Sequence, residues 1–187
     1  MRRMAAIVML GLSLALPAHS ASVGGLSLPD TYPVTGQTLV LNGIGIRTLT
    51  FLAIRAYVAG LYVTQKSGDA RAIMGSPSPK VLLMQFLHSA SKERVEKQYR
   101  EGEARNCGHG ECSPADEPDF ERLIAATPAA KVGDTLTYLF TVKGVRVLFN
   151  NQVIGDFANP DLSLRLLAGF IGDKPPSEDL KAKLLGR

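Results

Sequence analysis

The period of the hydrophobic positions changes several times along the chain, and each change marks a boundary between elements. Across residues 38–63 the chain is mostly Val, Ile, Leu, Thr and Tyr, interrupted by Gly43, Gly45 and Gly60. This predicts strands near 38–42, 45–52 and 54–64. In the third, both parities are apolar: Ile54, Ala56, Val58 and Tyr62 on one face, Tyr57, Ala59, Leu61 and Val63 on the other. Such a strand is covered on both sides, so its sheet belongs to a layered domain. Residues 68–75 read as a short helix, and 80–87 as a strand that follows Pro77 and Pro79. Ser89 or Ser91 caps the next helix, SKERVEKQYREGEARN. Its Val95, Tyr99, Gly102 and Asn106 fall at i, i+4, i+7 and i+11, one stripe of a helix, which turns Tyr99 and Asn106 inward.

The second half alternates in the same way. Residues 118–127 predict a helix with Phe120, Leu123 and Ile124 inward, stopped by Pro128. Residues 135–142 alternate as a strand, with Leu136, Tyr138, Phe140 and Val142 on one side. After a Lys143-Gly144 turn come strands 145–149 and 152–157, joined at Asn150-Asn151, because Asn tolerates positive φ. Asn159 caps and Pro160 opens a helix that ends at Gly172, and Pro175-Pro176-Ser177 starts a last one. Strands, helices, strands and helices in that order predict an α+β domain, with helices over one main face of an antiparallel sheet.

The first 20 residues do not belong to this scheme. Arg2 and Arg3 precede an apolar stretch over 4–16, then Pro17 and small residues. This is the layout of a secretory signal peptide, and its apolar core is shorter than the ~20 residues of a spanning helix. Ala18 and Ser20 suit the −3 and −1 positions, so cleavage is expected before Ala21. That leaves one domain over 21–187, located in the periplasm or secreted, with no transmembrane segment. Removing Arg2 and Arg3 leaves 19 basic against 17 acidic residues, a net charge of +2. A balance this small gives no argument for nucleic acid as a partner. Export favours a disulfide for Cys107 and Cys112 in CGHGEC. Free thiols and a metal site of Cys107, His109 and Cys112 are the alternatives, and that site lacks a second ligand pair at zinc-like spacing.

Arg47 is the residue that demands a partner. It shares a face with Leu49 and Phe51, which makes it buried or part of a cleft wall. A buried, unpaired charge is costly. A guanidinium satisfies a carboxylate through two parallel hydrogen bonds, so an anionic ligand is one answer. A structural ion pair or a stack on a tyrosine is the other. Arg55, near a strand entry, is expected to be solvated. The chain has no nucleotide-binding glycine loop, HExxH or nucleophile elbow, and no metal or cofactor is expected.

The stretch LNGIGIRTLTFLAIRAYVAGLYV, with Gly43, Gly45, Arg47, Gly60 and Tyr62, resembles the signature of the chalcone isomerase superfamily. The helix with Tyr99 and Asn106 seven residues apart resembles the family helix, and the ending GDFANPDLSLRLLAGFIGDKPPSEDLKAKLLG resembles its exported bacterial branch. The resemblance implies an open-faced β-sandwich, a large antiparallel sheet covered by helices with a cleft between. It also implies two functions. Plant members close a chalcone into a flavanone, with the Arg, a Thr and the helix Tyr at the site. Non-enzymatic plastid members hold a fatty-acid carboxylate with the matching Arg and Tyr. Here Tyr57 stands where the enzymes have Thr, which disfavours the cyclase and leaves the anion-binding pair intact. The expected role is therefore non-catalytic binding of a fatty acid or similar amphipathic carboxylate, by Arg47, Tyr57, Tyr99 and Asn106. An intramolecular lyase using Arg47 and Tyr99 is the alternative. Haem binding through His88 or His109, suggested by distant mitochondrial relatives, is a further one.

Overall fold

The structure, a computed structural model, describes residues 20–34, 36–49, 53–107 and 112–187. The expected signal peptide lies outside the described residues except for Ser20, and Phe51 and His109 lie outside them too. A hairpin of β1 (Ser20–Val23) and β2 (Leu26–Pro29) comes first. It turns at Gly24 and Gly25, whose φ values of 55° and 78° suit glycine. A seven-stranded antiparallel sheet then follows in strict chain order. Its strands are β3 (Thr31–Val34), β4 (Gln37–Leu49), β5 (Ile54–Val63), β6 (Lys80–Phe86), β7 (Thr135–Thr141), β8 (Gly144–Phe149) and β9 (Gln152–Phe157). Among the described residues, α1 (Ala70–Gly75), α2 (Lys92–Cys107) and α3 (Glu117–Ala126) interrupt it, and α4 (Pro160–Ile171) and α5 (Glu178–Leu184) follow it. No helix among the described residues is long and apolar enough to cross a membrane.

The expected two-sided burial of β5 is present. Ala59, Leu61 and Val63 join the main core with Leu82, Tyr138 and Phe140 of the sheet and Ile73, Leu123, Leu162 and Leu180 of the helices. On the other face Tyr62 packs with Leu39, Leu41 and Val81. There the Tyr62 hydroxyl donates to Pro29 O at 2.9 Å, which ties β2 to this face. Full burial of a Leu or Phe side chain contributes about 1.5–3 kcal/mol, so both layers add to the stability of the sheet.

Three differences from the sequence reading have physical reasons. Residues 38–42 and 45–52 were expected as separate strands, but β4 is one strand of 13 residues with a bulge at Asn42. Leu41 pairs with Tyr62 and Gly43 with Leu61, so Asn42 is the extra residue and side-chain parity inverts there. Val142 was expected on the buried side, but β7 ends at Thr141 and Val142 is exposed in the turn. Strands β1, β2 and β3 gave no signal, because each is four residues long and two of them contain proline.

The inverted parity turns Gly43, Gly45 and Arg47 toward the helices. A Cβ on Gly43 would lie 2.0 Å from Lys183 O and 2.7 Å from Leu184 O, and one on Gly45 would lie 2.8 Å from Lys183 Cβ. The two glycines thus allow α5 to lie directly on β4. Above the sheet, Arg165 of α4 joins the helices to one another. Its Nη1 donates to Asp116 Oδ1 at 2.7 Å and Glu117 Oε2 at 3.2 Å, and its Nη2 donates to Glu103 Oε1 at 2.9 Å. Its Cζ sits 3.7 Å from the centre of the Phe120 ring.

Gly43→Ala is expected to cost about 3 kcal/mol, because the atoms it meets are helix backbone and cannot rotate away. Gly75→Ala, with no atom near its Cβ position, is expected to stay within about 0.5 kcal/mol or to stabilise. Urea denaturation of the two variants beside the parent checks both. Arg165→Leu is expected to cost about 3–5 kcal/mol, because it leaves Asp116, only 1% exposed, without its cation. The same denaturation series measures it.

Candidate functional site

A cavity of about 240 Å³ lies between the helix-facing side of β4–β7 and helices α2 and α4. Its walls are largely apolar, with Leu49, Met84, Phe86, Leu136, Leu166 and Phe170 among them. The inward stripe of α2 forms one side: Val95, Tyr99, Gly102 and Asn106 all line it. That helix begins after Ser91, whose carbonyl accepts from Val95 N at 3.0 Å.

Arg47 enters the cavity from β4, opposite Tyr57 of β5 in the strand pairing. Its Nη1 donates to Thr48 O at 2.9 Å, while its Nε is buried without an acceptor. It makes no ion pair among the described residues, so most of its five donors have no protein acceptor there. The Tyr57 ring packs edge-on against Phe86, with centroids 6.3 Å apart. Burial pushes the Tyr57 hydroxyl up to about 12, although the positive charges of Arg47 and Arg105 pull the other way. Tyr57 therefore keeps its proton at neutral pH and can donate it.

Tyr99 reaches the same cavity with its hydroxyl already engaged, 2.6 Å from the Tyr138 hydroxyl and 3.4 Å from Thr127 Oγ1. Thr127 spends its own proton on Leu123 O at 2.8 Å, so toward Tyr99 it can only accept. With both contacts made, Tyr99 donates to Thr127 and accepts from Tyr138, so the pair spends its protons internally. Burial raises the pKa of both phenols, so both stay neutral. Asn106 lines the wall, but its Nδ2 donates to Gly102 O at 3.0 Å and Lys174 O at 3.3 Å, which commits both amide protons.

Two cavity residues escaped the sequence reading. Arg105 lies on the shoulder of the α2 stripe, three residues after Gly102. Its Nε is buried without an acceptor, and it makes no hydrogen bond or ion pair among the described residues. Its helical spacing from Gly102 was the available signal. Arg165 is the only charge in the apolar run 162–171, and that isolation was its signal. Arg55 is exposed and donates to Gly24 O at 3.1 Å. Cys107, at the end of α2, is joined to Cys112 in a disulfide with a Cα separation of 4.9 Å. His88 is exposed at the cavity rim, and among the described residues no group of His, Cys, Asp and Glu could hold a metal ion.

Comparison with known proteins agrees with this architecture. An Arabidopsis thaliana fatty-acid binding protein of known crystal structure superposes with a TM-score of 0.71 at 14% identity, covering 89% of this chain and 96% of that one. At that identity the likeness is one of fold. No curated protein matches the sequence. The family model described as chalcone isomerase-like matches residues 20–186. A match over nearly the whole chain, together with the curled seven-stranded sheet and its helix layer, shows that this chain belongs to the chalcone isomerase-like family.

Proposed function

We propose that this protein is an exported, non-catalytic binder of an amphipathic anion, a medium-chain carboxylate in the first instance. The observation that carries this reading is Arg47, whose guanidinium lacks a carboxylate partner among the described residues and lines an apolar cavity. A ligand head group would supply the missing acceptors, with Tyr57 as neutral donor beside it. The chain would lie along Met84, Leu136 and Phe170, each buried CH₂ contributing about 0.8 kcal/mol. A cavity of about 240 Å³ is just below the usual range of about 300–1,000 Å³ for small-molecule sites, which suits a short or medium chain. The Arabidopsis structure is that of a fatty-acid binding protein, which agrees with this use of the fold. Export rests on the N-terminal pattern and is consistent with the Cys107–Cys112 disulfide.

The test begins with protein recovered from the periplasmic fraction, with its N-terminus expected at Ala21. Solvent extraction and mass spectrometry are expected to release an amphipathic acid. Calorimetric titration of delipidated protein with decanoate is expected to give micromolar affinity. Arg47→Gln is expected to weaken it by about 2–3 kcal/mol, from the lost charge-assisted hydrogen bonds, and Tyr57→Phe by about 1 kcal/mol. The pH dependence follows from the signs of the shifts. Tyr57 at about 12 stays protonated, so affinity should be flat from pH 7 to 9. It should fall as pH drops through the ordinary carboxyl range, near pH 4–5, where the ligand loses its charge. An empty extract with no decanoate binding would remove the proposal.

The lyase alternative is answered by a spectrophotometric chalcone-cyclisation assay. The expected rate is the spontaneous one, equal for the parent and for Arg47→Gln. A rate above it that Arg47→Gln abolishes would reverse the assignment.

A further inference from the structure

Taking the cavity to be a site for an amphipathic anion, we infer that its head-group end is built for two negative charges, and that the preferred guest is an apolar chain ending in a phosphate monoester. The inference rests on the charges that surround the cavity. Those that face it are Arg47 on β4, His88 after β6, Arg94, Glu103 and Arg105 on α2, and Arg165 on α4. Arg165 has its charge matched by Glu103, Asp116 and Glu117, although its Nε–H too is buried without an acceptor, so the one acidic group on the wall is already spent. Arg94 and His88 are exposed at the rim. Two part-buried guanidiniums remain, Arg47 and Arg105, each with a buried Nε–H that has no acceptor and neither with an acidic partner among the described residues.

Both cations line the same cavity as Tyr57, which pairs with Arg47 across the sheet. They reach it from opposite walls, sheet and helix. A monocarboxylate would neutralise one of them and leave the other desolvated, which costs free energy. A phosphate monoester carries about −1.5 to −2 charges at pH 7 and has three acceptor oxygens. It would satisfy both guanidiniums and still accept from the Tyr57 hydroxyl. Arg105 is then the residue that sets the head-group preference, while Arg47 serves any anion.

The experiment compares three ligands of one chain length, decyl phosphate, decyl sulfate and decanoate, below their micelle concentrations. They are titrated into delipidated protein and into Arg47→Gln, Arg105→Gln and Arg105→Lys. Circular dichroism confirms that each variant is folded, and Arg105→Lys keeps the charge where Arg105→Gln removes it. At pH 7.5 the phosphate is expected to bind at least tenfold more tightly than either monoanion. The sulfate has the same tetrahedral oxygens, so it separates charge from shape. Arg105→Gln is expected to remove most of that advantage and to change decanoate affinity less than threefold. Arg105→Lys should keep part of it, and Arg47→Gln should weaken all three. Lowering the pH from 7.5 to 5 should erase the phosphate advantage as its second proton returns, near pH 6. The sulfate keeps one charge over that range, so its arm reads any change that comes from the protein. Decanoate binding as tightly as the phosphate, or an equal loss for all three ligands in Arg105→Gln, would overturn the inference and leave the amphipathic-anion reading standing. Failure of all three to bind would overturn both.

Discussion

The architecture of the site depends on one extra residue in β4. Asn42 is inserted between positions that pair with Tyr62 and Leu61, and from there on every side chain of the strand changes face. Without the bulge, Gly43, Gly45 and Arg47 would face the Tyr62 layer, and a charged residue would lie under the N-terminal hairpin. The bulge is held by the Asn42 side chain itself. Its Nδ2 donates to Leu184 O at 2.8 Å and Ser67 O at 3.0 Å, and its Oδ1 accepts from Ser67 N at 2.7 Å. The side chain is almost fully buried and uses most of its hydrogen-bonding capacity. The same interaction that fixes parity therefore ties down the end of α5, and α5 can reach that place only because the next residue is a glycine. Strand register, helix docking and the direction of Arg47 are consequences of one local choice.

Arginine serves two opposite purposes around one cavity. Arg165 is buried, with its two Nη atoms bonded to three carboxylates and its plane stacked on a ring, so its charge is matched within the protein although its Nε–H has no acceptor. It links α2, α3 and α4 and so sets the width of the roof above the cavity. Arg47 and Arg105 keep donors without acceptors in a part-dry place, which a stability-only design would not retain. Leaving that cost unrelieved makes sense where an external anion relieves it. What separates the two purposes is carboxylate partners, three for Arg165 and none among the described residues for Arg47 and Arg105, and on the proposed reading this distinguishes structural charge from ligand-directed charge more sharply than residue type does.

Much of this was legible in the sequence, for identifiable reasons. The two-sided apolar pattern of β5 marked a covered strand, and the stripe of Val95, Tyr99, Gly102 and Asn106 marked the inward face of α2. Asn150 and Asn151 marked their turn, where φ is 49° and 64°. What was not legible depended on tertiary contact. A bulge has no local signature when its extra residue is held by a helix more than 140 positions away, as Asn42 is by Leu184. Arg105 read as one of many charges on a polar helix, because exposure at the edge of a stripe depends on what packs above it. Tyr138 read as core, which it is, but its hydroxyl partner comes from a different helix.

The chemistry of the phenols sets the limit on what the cavity can do. A cyclase must give or take a proton during the reaction, which is most effective with a group whose pKa lies near the working pH. Burial drives Tyr57, Tyr99 and Tyr138 the other way, and Tyr57 to about 12 despite its cationic neighbours. Such groups hold their protons and present them as hydrogen bonds. Tyr99 and Tyr138 are moreover bonded to each other, so neither is positioned as an independent acid. Fixed neutral donors around unsatisfied guanidiniums stabilise an anion that stays, at every stage, an anion. On the proposed reading, that placement of three hydroxyl groups suits retention of a charged guest more than its conversion.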